Sequence, residues 1–404
     1  MKRLLFIAYY FPPRNQVASY RPGCFAKYLP ENGWMPTVVC EEFPRDRPNL
    51  DPDFVGRIPP EVQVITVSSH GPNPPLSRFL YRKLWPYWRP HHAPYVWWRD
   101  ARATIRETAR QIRFDAIWAT SDPIVTLGLA EEVARDLRLP WMADLRDSFN
   151  VQRFQKWYRR PIWAFHERRL CRRATAIVTV SQNMARRLSA VTGCPVKVLE
   201  NGYDPELFST APPPRRDVFR LIYAGTFHSR LQNPRTVIEA IARLIDARAI
   251  PADKFELAFY EPSPRQIDAA YRDATRLLPV RAYPRLSHKD IIQVQQTCAA
   301  LLLLTVVGQK GVLTGKLFDY LAAGRPILAV PDDQGDVAEL LRQTGAGVVA
   351  NSADEIASVL KRWYDEWAKT GEVRLQRNDA NIQRYSRRTQ ARQLAAMLEE
   401  MTAK

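Results

Sequence analysis

The residues best placed to do chemistry lie in GVLTGKLFDYLAAGRPILAV, positions 311 to 330, after a predicted buried strand. Gly311 and Gly315 let the backbone approach a ligand closely. A helix predicted to begin at about Gly315 offers free N–H groups to an anion. Lys316 in its first turn opposes the helix dipole, which an anionic ligand would explain. Asp319, one turn later, can accept hydrogen bonds from ribose hydroxyls. The predicted nucleotide-diphosphate site comprises Val312, Leu313, Thr314, Gly315, Lys316 and Asp319. The alternative is an ordinary strand-loop-helix with a solvated Lys–Asp pair.

A second motif, IYAGTFHSRLQNP at 222 to 234, is the first strand-to-helix turn of the second half of the chain. Gly225 and Thr226 end its strand. Arg230 follows in the loop, where a guanidinium can clamp a diphosphate through two hydrogen bonds. The alternative for Arg230 is a solvated loop side chain.

Two turns of the first half carry charged side chains toward strand ends. The loop before the first predicted helix, which starts near Tyr20, holds Arg14 and Asn15, and Arg21 follows in the helix. We interpret these three as acceptor-side or phosphate contacts. In ADLRDSF, Asp144 and Asp147 follow a strand and could bind sugar hydroxyls or act as a base. The alternative is an internal Asp–Arg structural pair.

The charge balance indicates an anionic partner, because 59 Lys and Arg outnumber 42 Asp and Glu for a net charge of +17. The aromatic-basic stretch at 79 to 102 carries four tryptophans among many cations. Tryptophan favours a membrane interface and cations favour anionic headgroups. A folded subdomain with buried tryptophans is the alternative, and nucleic-acid binding is disfavoured.

Other patterns argue against metal, disulfide and membrane-spanning chemistry. Asp51-Pro52-Asp53 resembles a DxD metal motif, but it lies in a Pro- and Asp-rich loop and is interpreted as a turn. Five scattered cysteines without a CxxC predict buried thiols in a reducing compartment. No apolar run approaches the ~18 residues of a membrane span. We therefore expect a cytoplasmic protein that needs no metal or cofactor.

Apolar runs alternate with helical patterns in both halves, which predicts two doubly wound parallel sheets. Ligands of such sheets bind at the carboxyl ends of strands, so we expect a site in a cleft between two Rossmann-like domains. The predicted division is an N-terminal domain at 1–208 with an aromatic-basic insert at about 77–102, a Pro-rich linker at 209–217, a C-terminal domain at 218–378 and a last helix at 379–404.

These motifs together resemble bacterial glycosyltransferases of family 4, which have the GT-B fold, in the branch that builds O-antigen and exopolysaccharide. The resemblance spans FPPRNQVASYRPGCFAKYLPENGW, ATSDP, DLRD, FHERRLCRRATAIVTVS, VLENGYD, YAGTF and KLFDYLAAGRPILAV. Within it, Asp319 stands where the family has a ribose-binding Glu, and Gly311 stands where a first Glu is usual. Asn15-Gln16 replaces the usual glycine pair of the first loop.

The resemblance implies a retaining, metal-independent transfer from a UDP- or GDP-type sugar to a saccharide or polyprenyl-linked acceptor in cell-surface polysaccharide or lipopolysaccharide synthesis. It places the donor mainly on the C-terminal domain, with the last helix crossing back to the N-terminal one. The implied location is the inner face of the membrane, peripherally bound. The motifs and the resemblance together predict a catalytic set of Lys316, Arg230, Asp144 and Asp147. Two alternatives stay open: a nucleotide-sugar 2-epimerase of the same architecture, and a basic membrane-binding scaffold without catalysis.

Overall fold

The computed structural model describes residues 1–43, 50–68, 95–121, 123–146, 160–210, 213–225, 232–261, 278–305 and 313–403. They divide into two compact units. Unit 1 comprises Met1–Asn201 and Arg387–Lys404, and unit 2 comprises Gly202–Ser386.

Unit 1 is built on a parallel sheet whose described strands have the order β3-β2-β1-β4-β5-β6-β7. The strands are β1 Lys2–Ile7, β2 Trp34–Glu41, β3 Gln63–Val67, β4 Ala116–Thr120, β5 Trp141–Leu145, β6 Ala176–Thr179 and β7 Lys197–Val198. The helices of unit 1 are α1 Val17–Tyr28, α2 Pro52–Val55, α3 Tyr95–Gln111, α4 Val125–Leu137, α5 Arg160–Arg173, α6 Gln182–Thr192 and, at the end of the chain, α13 Arg387–Thr402.

Unit 2 repeats the plan with a parallel sheet of described order β10-β9-β8-β11-β12-β13. The strands are β8 Phe219–Ala224, β9 Phe255–Tyr260, β10 Val280–Tyr283, β11 Ala300–Leu304, β12 Ile327–Val330 and β13 Gly347–Val349. The helices are α7 Arg235–Asp246, α8 His288–Thr297, α9 Gly315–Ala323, α10 Asp336–Thr344, α11 Ala353–Thr370 and α12 Asp379–Gln383.

Burial of both sheet faces explains the apolar runs. β4, β5 and β11 are buried at every position, as expected for parallel strands covered by helices on both sides. In unit 2, α7 buries Val237, Ile238, Ile241 and Leu244 on the face that the sequence predicts. The predicted α/β class with two parallel doubly wound sheets is confirmed.

The domain boundaries differ from the predicted ones. The first unit ends at Asn201 rather than at 208, because Tyr203 packs with unit 2 and its backbone N–H donates to Tyr385 O at 3.1 Å. The linker residue Arg215 also belongs to unit 2, since its N–H donates to Thr297 O at 3.0 Å. The segment that rejoins unit 1 begins at Arg387 rather than at 379.

The last helix, α13, completes the core of unit 1. Leu394 and Leu398 are fully buried in one cluster with Phe25 and Trp34. This is the apolar face that the sequence predicts for the C-terminal helix. The Gln390 side chain donates to Glu200 O and Asn201 O, both at 3.0 Å, so α13 also holds the end of the first unit's chain segment.

The aromatic-basic stretch is described only from Tyr95 onward, where it forms the start of α3. Trp97 is fully buried, with its ring edge-on to Tyr9 at 5.0 Å between centroids. Trp98 packs against the same core. These two tryptophans therefore belong to a folded core, and the membrane interpretation does not apply to them. The earlier part of the stretch, including Trp85 and Trp88, lies outside the described residues.

The Asp51-Pro52-Asp53 turn and the five cysteines all lie within the described residues. Asp51 accepts a hydrogen bond from Phe54 N at 3.1 Å and so starts the short helix α2. All five cysteines are free thiols. Within the described ranges, no three His, Cys, Asp or Glu side chains gather as a metal site, and no helix is both long and apolar enough to cross a membrane.

Candidate functional site

The first turn of α9 forms the centre of the candidate site in unit 2. The helix begins at Gly315 and ends at Gly324, whose φ of 79° is left-handed, both as the sequence predicts. Thr314 precedes the helix without capping it through its side chain, and the first turn holds no acidic residue. The first N–H groups of a helix have no partner within it. This helix end therefore offers donors and a positive dipole end to an anion.

Lys316 sits in that turn and lies against the end of β8. Its Nζ is 3.6 Å from the centroid of the Tyr223 ring, and the structure gives it no ion pair within the described residues. Burial lowers the pKa of Lys316 to about 7, although the charge of Glu261 acts in the opposite direction. Removing an ammonium group from water is costly without an anion, and the Tyr223 ring face offsets only part of that cost. The side chain is therefore poised to gain its charge when an anionic group binds.

Gly225 is required where β8 ends beside this lysine. Its φ is 102°, a conformation that disfavours any side chain. A Cβ at this position would meet Cε and Nζ of Lys316 at 3.4 Å. That distance is an ordinary van der Waals contact, so the backbone conformation, not the space beside Lys316, accounts for the glycine.

Tyr320 fixes the end of β8 to α9. Its buried hydroxyl accepts a hydrogen bond from Ala224 N at 2.9 Å, which satisfies the last backbone donor of the strand. Lys316 and Tyr320 are one turn apart and so face the same strand end. Gln232 makes a similar connection on the other side, because its side chain donates to Leu304 O at the end of β11 at 2.7 Å.

Asp319, the candidate ribose contact, lies on the same helix and faces α8. Its Oδ2 is 3.3 Å from Nε2 of His288, and both side chains keep about a fifth of their surface exposed. Asp319 can still accept from a ligand, because each carboxylate oxygen has two lone pairs. The solvated Lys316–Asp319 pair of the alternative interpretation is absent among the ion pairs of the described residues, where Asp319 pairs with His288.

The structure thus brings together Gly225, Leu313, Thr314, Gly315, Lys316 and Asp319 around the first two turns of α9. Leu313 itself is buried and packs into the core of unit 2. Thr226, Arg230 and Val312 lie outside the described residues. Four residues near this site were not predicted from the sequence: Tyr223, Glu261, His288 and Tyr320. Of these, Glu261 alone has a local sequence signal, because it is an acidic residue directly after the apolar strand β9.

In unit 1, Arg21 and Asp144 form a buried structural pair. Arg21 Nε and Nη2 donate to the two carboxylate oxygens of Asp144, both at 3.0 Å, and Thr120 Oγ1 donates to the same carboxylate at 2.8 Å. Arg21 also reaches Glu200 O at 2.8 Å and Leu199 O at 3.0 Å. The assignment of Arg21 to an acceptor and of Asp144 to catalysis is therefore corrected: neither side chain faces solvent. Asp147 lies outside the described residues.

Arg14 and Asn15 stay accessible at the carboxyl ends of β1 and β2. Arg14 Nη1 donates to Oε2 of Glu41 at 2.5 Å, and Asn15 Oδ1 accepts from the Tyr20 hydroxyl at 2.7 Å. Both side chains are partly buried. Their roles stay predictions, although the paired Glu41 changes the electrostatics that Arg14 offers.

Part of the chain is similar to a known protein family. Residues 24–207 match the family model for Glycosyltransferase Family 4. The search of curated proteins found no match.

Three solved structures illustrate the fold. HepE of Anabaena in complex with UDP-glucose has a TM-score of 0.60 and 15% identity, covering 100% of this chain and 98% of its own. Sucrose-phosphate synthase from Thermosynechococcus elongatus has a TM-score of 0.67 and 13% identity, covering 100% of both chains. The lipopolysaccharide outer core galactosyltransferase WaaB has a TM-score of 0.60 and 13% identity, covering 98% of this chain and 99% of its own. The predicted GT-B fold is confirmed.

Proposed function

We propose that this chain, of which residues 24–207 match the family model for Glycosyltransferase Family 4, is a glycosyltransferase that moves a sugar from a nucleotide-sugar donor to a saccharide or lipid-linked acceptor. The transfer retains the configuration at C1 and requires no metal. The observation that carries the proposal is Lys316, a cation with a pKa lowered to about 7 at an uncapped helix N-terminus.

This site suits a diphosphate leaving group. Negative charge develops on the phosphate as its bond to C1 lengthens, and the first N–H groups of α9 are fixed in place to receive it. Lys316 adds a positive charge against the Tyr223 ring, where it is shielded from water and interacts more strongly than in bulk solvent. One preorganised contact of this kind contributes roughly 2.7–4 kcal/mol to transition-state stabilisation.

The acceptor hydroxyl attacks from the face that the phosphate leaves, and a phosphate oxygen takes its proton. Asp144 is unsuited to act as the base, because Arg21 and Thr120 already occupy its carboxylate in a buried setting. Arg230 and the backbone of Thr226 and Val312 complete the phosphate contacts in this proposal. Asp319, held beside His288, accepts hydrogen bonds from the ribose.

The ligands and names of similar proteins support the substrates in this proposal. HepE binds UDP and UDP-glucose, which favours a uridine donor over a guanosine one. WaaB is a galactosyltransferase of the lipopolysaccharide outer core, which favours a saccharide acceptor in cell-surface polysaccharide synthesis. The net charge of +17 suits peripheral binding at the anionic inner face of a membrane. A polyprenyl-linked acceptor suits the same location.

Thermal-shift measurements with UDP, GDP, ADP and dTDP, in EDTA and in magnesium, test the donor site. A ligand at about 100 times its Kd adds about 2.7 kcal/mol to the free energy of unfolding. We expect one nucleotide, UDP, to stabilise the wild type equally in both buffers and to lose its effect in Lys316→Ala. The matched control is Lys361→Ala, because Lys361 lies on a different helix, α11, and pairs with Asp365.

The alternatives predict different products. Hydrolysis of UDP-glucose without epimerised sugar supports a transferase, whereas release of the 2-epimer of a UDP-N-acetylhexosamine supports an epimerase. A scaffold without catalysis would bind no nucleotide and would bind polyanions with strong salt dependence. Equal stabilisation of the wild type and Lys316→Ala by UDP would contradict the role given to Lys316.

A further inference from the structure

Glu261 and Lys316 both adjoin the carboxyl end of β8 in unit 2. β8 and β9 run in register up to the pair Ala224–Tyr260, and Gly225 N donates to Tyr260 O at 2.9 Å. Glu261 is the next residue on β9 after that pair, and so follows alongside Gly225. Lys316 lies against the same glycine, since a Cβ there would meet its Nζ at 3.4 Å. The edge at which parallel sheets bind ligands therefore brings an acid and a base close to one backbone position.

The backbone of Glu261 has a conformation that glutamate rarely adopts. Its φ is 60°, in the left-handed region that favours glycine. Its N–H donates to Tyr283 O at 3.1 Å, which fixes the residue to the end of β10. Such strain persists where the surrounding structure enforces it, and it is concentrated at ligand sites. The fold therefore places a carboxylate-bearing residue at this point, although glycine would be less strained.

Arg285 is the ion-pair partner of Glu261. Its Nη1 lies 3.3 Å from Oε1 of Glu261, and the two side chains keep 47% and 37% of their surface exposed. An ion pair this exposed adds little to stability. Its consequence is electrostatic, because Arg285 partly cancels the repulsion that the Glu261 carboxylate would exert on an approaching anion.

Glu261 supplies the negative charge that acts on Lys316 among the described residues. Burial lowers the pKa of Lys316, and the Glu261 charge raises it. The other titratable side chains on the described elements around Lys316 are Tyr223, His288, Asp319 and Tyr320. The carboxylate among them pairs with the imidazole at 3.3 Å. Burial raises the pKa of both phenols, so they stay neutral.

We propose that Glu261 is a positioning residue of the donor site: its carboxylate holds the Lys316 ammonium in the charged form that a diphosphate requires, while Arg285 compensates the carboxylate on its exposed side. This inference rests on the proposed glycosyltransferase function and deepens it. Glu261 acts through Lys316 and contacts no reacting atom. The two partners of one ion pair should therefore affect the charge of Lys316 in opposite directions.

NMR titration of isotope-labelled lysine side chains in the ligand-free protein tests the inference directly. The Lys316 signal, assigned by its loss in Lys316→Met, should titrate at about pH 7 in the wild type. Glu261→Gln should lower that pKa because it removes an attractive charge, and Arg285→Met should raise it because it leaves the carboxylate uncompensated. The matched control is Glu239→Gln, which breaks the exposed Glu239–Arg235 pair on α7 and should leave the pKa of Lys316 unchanged.

Calorimetry with UDP gives a second readout of the same charge. If the pKa of Lys316 falls by about one pH unit, its protonated fraction at about pH 7 falls from about one half to about one tenth. The Kd of Glu261→Gln for UDP should then be roughly fivefold weaker than that of the wild type at this pH, and lower pH should restore it.

The signs of the two pKa changes separate this role from a structural one. If the Glu261–Arg285 pair only braced the ends of β9 and β10, loss of either partner would have the same effect on Lys316. An unchanged pKa in Glu261→Gln, changes of the same sign in Glu261→Gln and Arg285→Met, or tighter UDP binding by Glu261→Gln at about pH 7 would overturn the inference. The NMR titration needs no nucleotide, whereas absence of UDP binding by the wild type would overturn the proposed function instead.

Discussion

Replacement of Lys316 by methionine tests the phosphate site through its pH dependence. The ammonium has a pKa lowered to about 7 in the free protein. Bound phosphate should return the pKa toward its ordinary value of about 10.4, because an opposite charge favours the protonated form. Binding therefore takes up a proton wherever Lys316 is neutral in the free protein. UDP affinity should decrease as the pH rises above about 7.

The magnitude follows from the fraction protonated. Between about pH 7 and pH 8 this fraction falls from about one half to about one tenth, so the Kd for UDP should weaken roughly fivefold. For each further pH unit the Kd for UDP should increase nearly tenfold, until the pH reaches the pKa of Lys316 in the complex. Proton uptake should be about half a proton per UDP at pH 7 and nearly one at about pH 8.5.

Isothermal titration calorimetry in two buffers of different ionisation enthalpy measures both quantities. Lys316→Met should bind UDP weakly with no such slope, and the ionisation of UDP itself is common to both proteins and cancels in the difference. Lys361→Met should behave like the wild type. A flat Kd in the wild type between about pH 7 and pH 8.5, or the same slope in Lys316→Met, would refute the reasoning.

Three further predictions concern stability. Lys316 has a lower pKa in the folded chain than in the unfolded chain, so the unfolded chain binds its proton more tightly. The free energy of unfolding of the ligand-free wild type, relative to that of Lys316→Met, should therefore rise from about pH 7 to pH 8.5. Urea unfolding that shows no such difference between the two proteins would argue against the lowered pKa of Lys316. Tyr320→Phe should lower the unfolding free energy by about 1–3 kcal/mol, because a buried strand N–H loses its acceptor; calorimetry showing no loss would contradict this. Arg21→Met should cost about 3–5 kcal/mol, because it leaves the buried Asp144 carboxylate without its cation, and a normal Tm with lost activity would instead support a role in substrate contact.

Local sequence patterns predicted the strands and the end of α9, because burial on both sheet faces requires apolar runs and the left-handed residue that follows a helix is usually glycine. The strand LLFIAYY corresponds to β1 and ALLLLTV to β11. The pattern also placed Lys316 correctly in the first turn of its helix. These features depend on neighbours within a few residues.

Partnerships between distant residues could not be predicted in the same way. Arg21 and Asp144 are 123 positions apart and meet because β1 lies beside β4 and β4 beside β5. Arg14 and Glu41 meet because β1 and β2 are adjacent. Strand order is set by packing of the whole sheet and not by the residues next to a strand end. The same local sequence can therefore place a charged residue against a ligand or in a structural ion pair.

The return of α13 to unit 1 has a consequence for synthesis on the ribosome. Unit 2 is one continuous stretch, Gly202–Ser386, whereas the core of unit 1 lacks Leu394 and Leu398 until the last helix has been translated. Unit 2 can thus complete its core while unit 1 still exposes Phe25 and Trp34. We expect nascent chains halted before Arg387 to contain a protease-resistant unit 2 and a protease-sensitive unit 1. Unit 1 is then synthesised first but completes its folded core last.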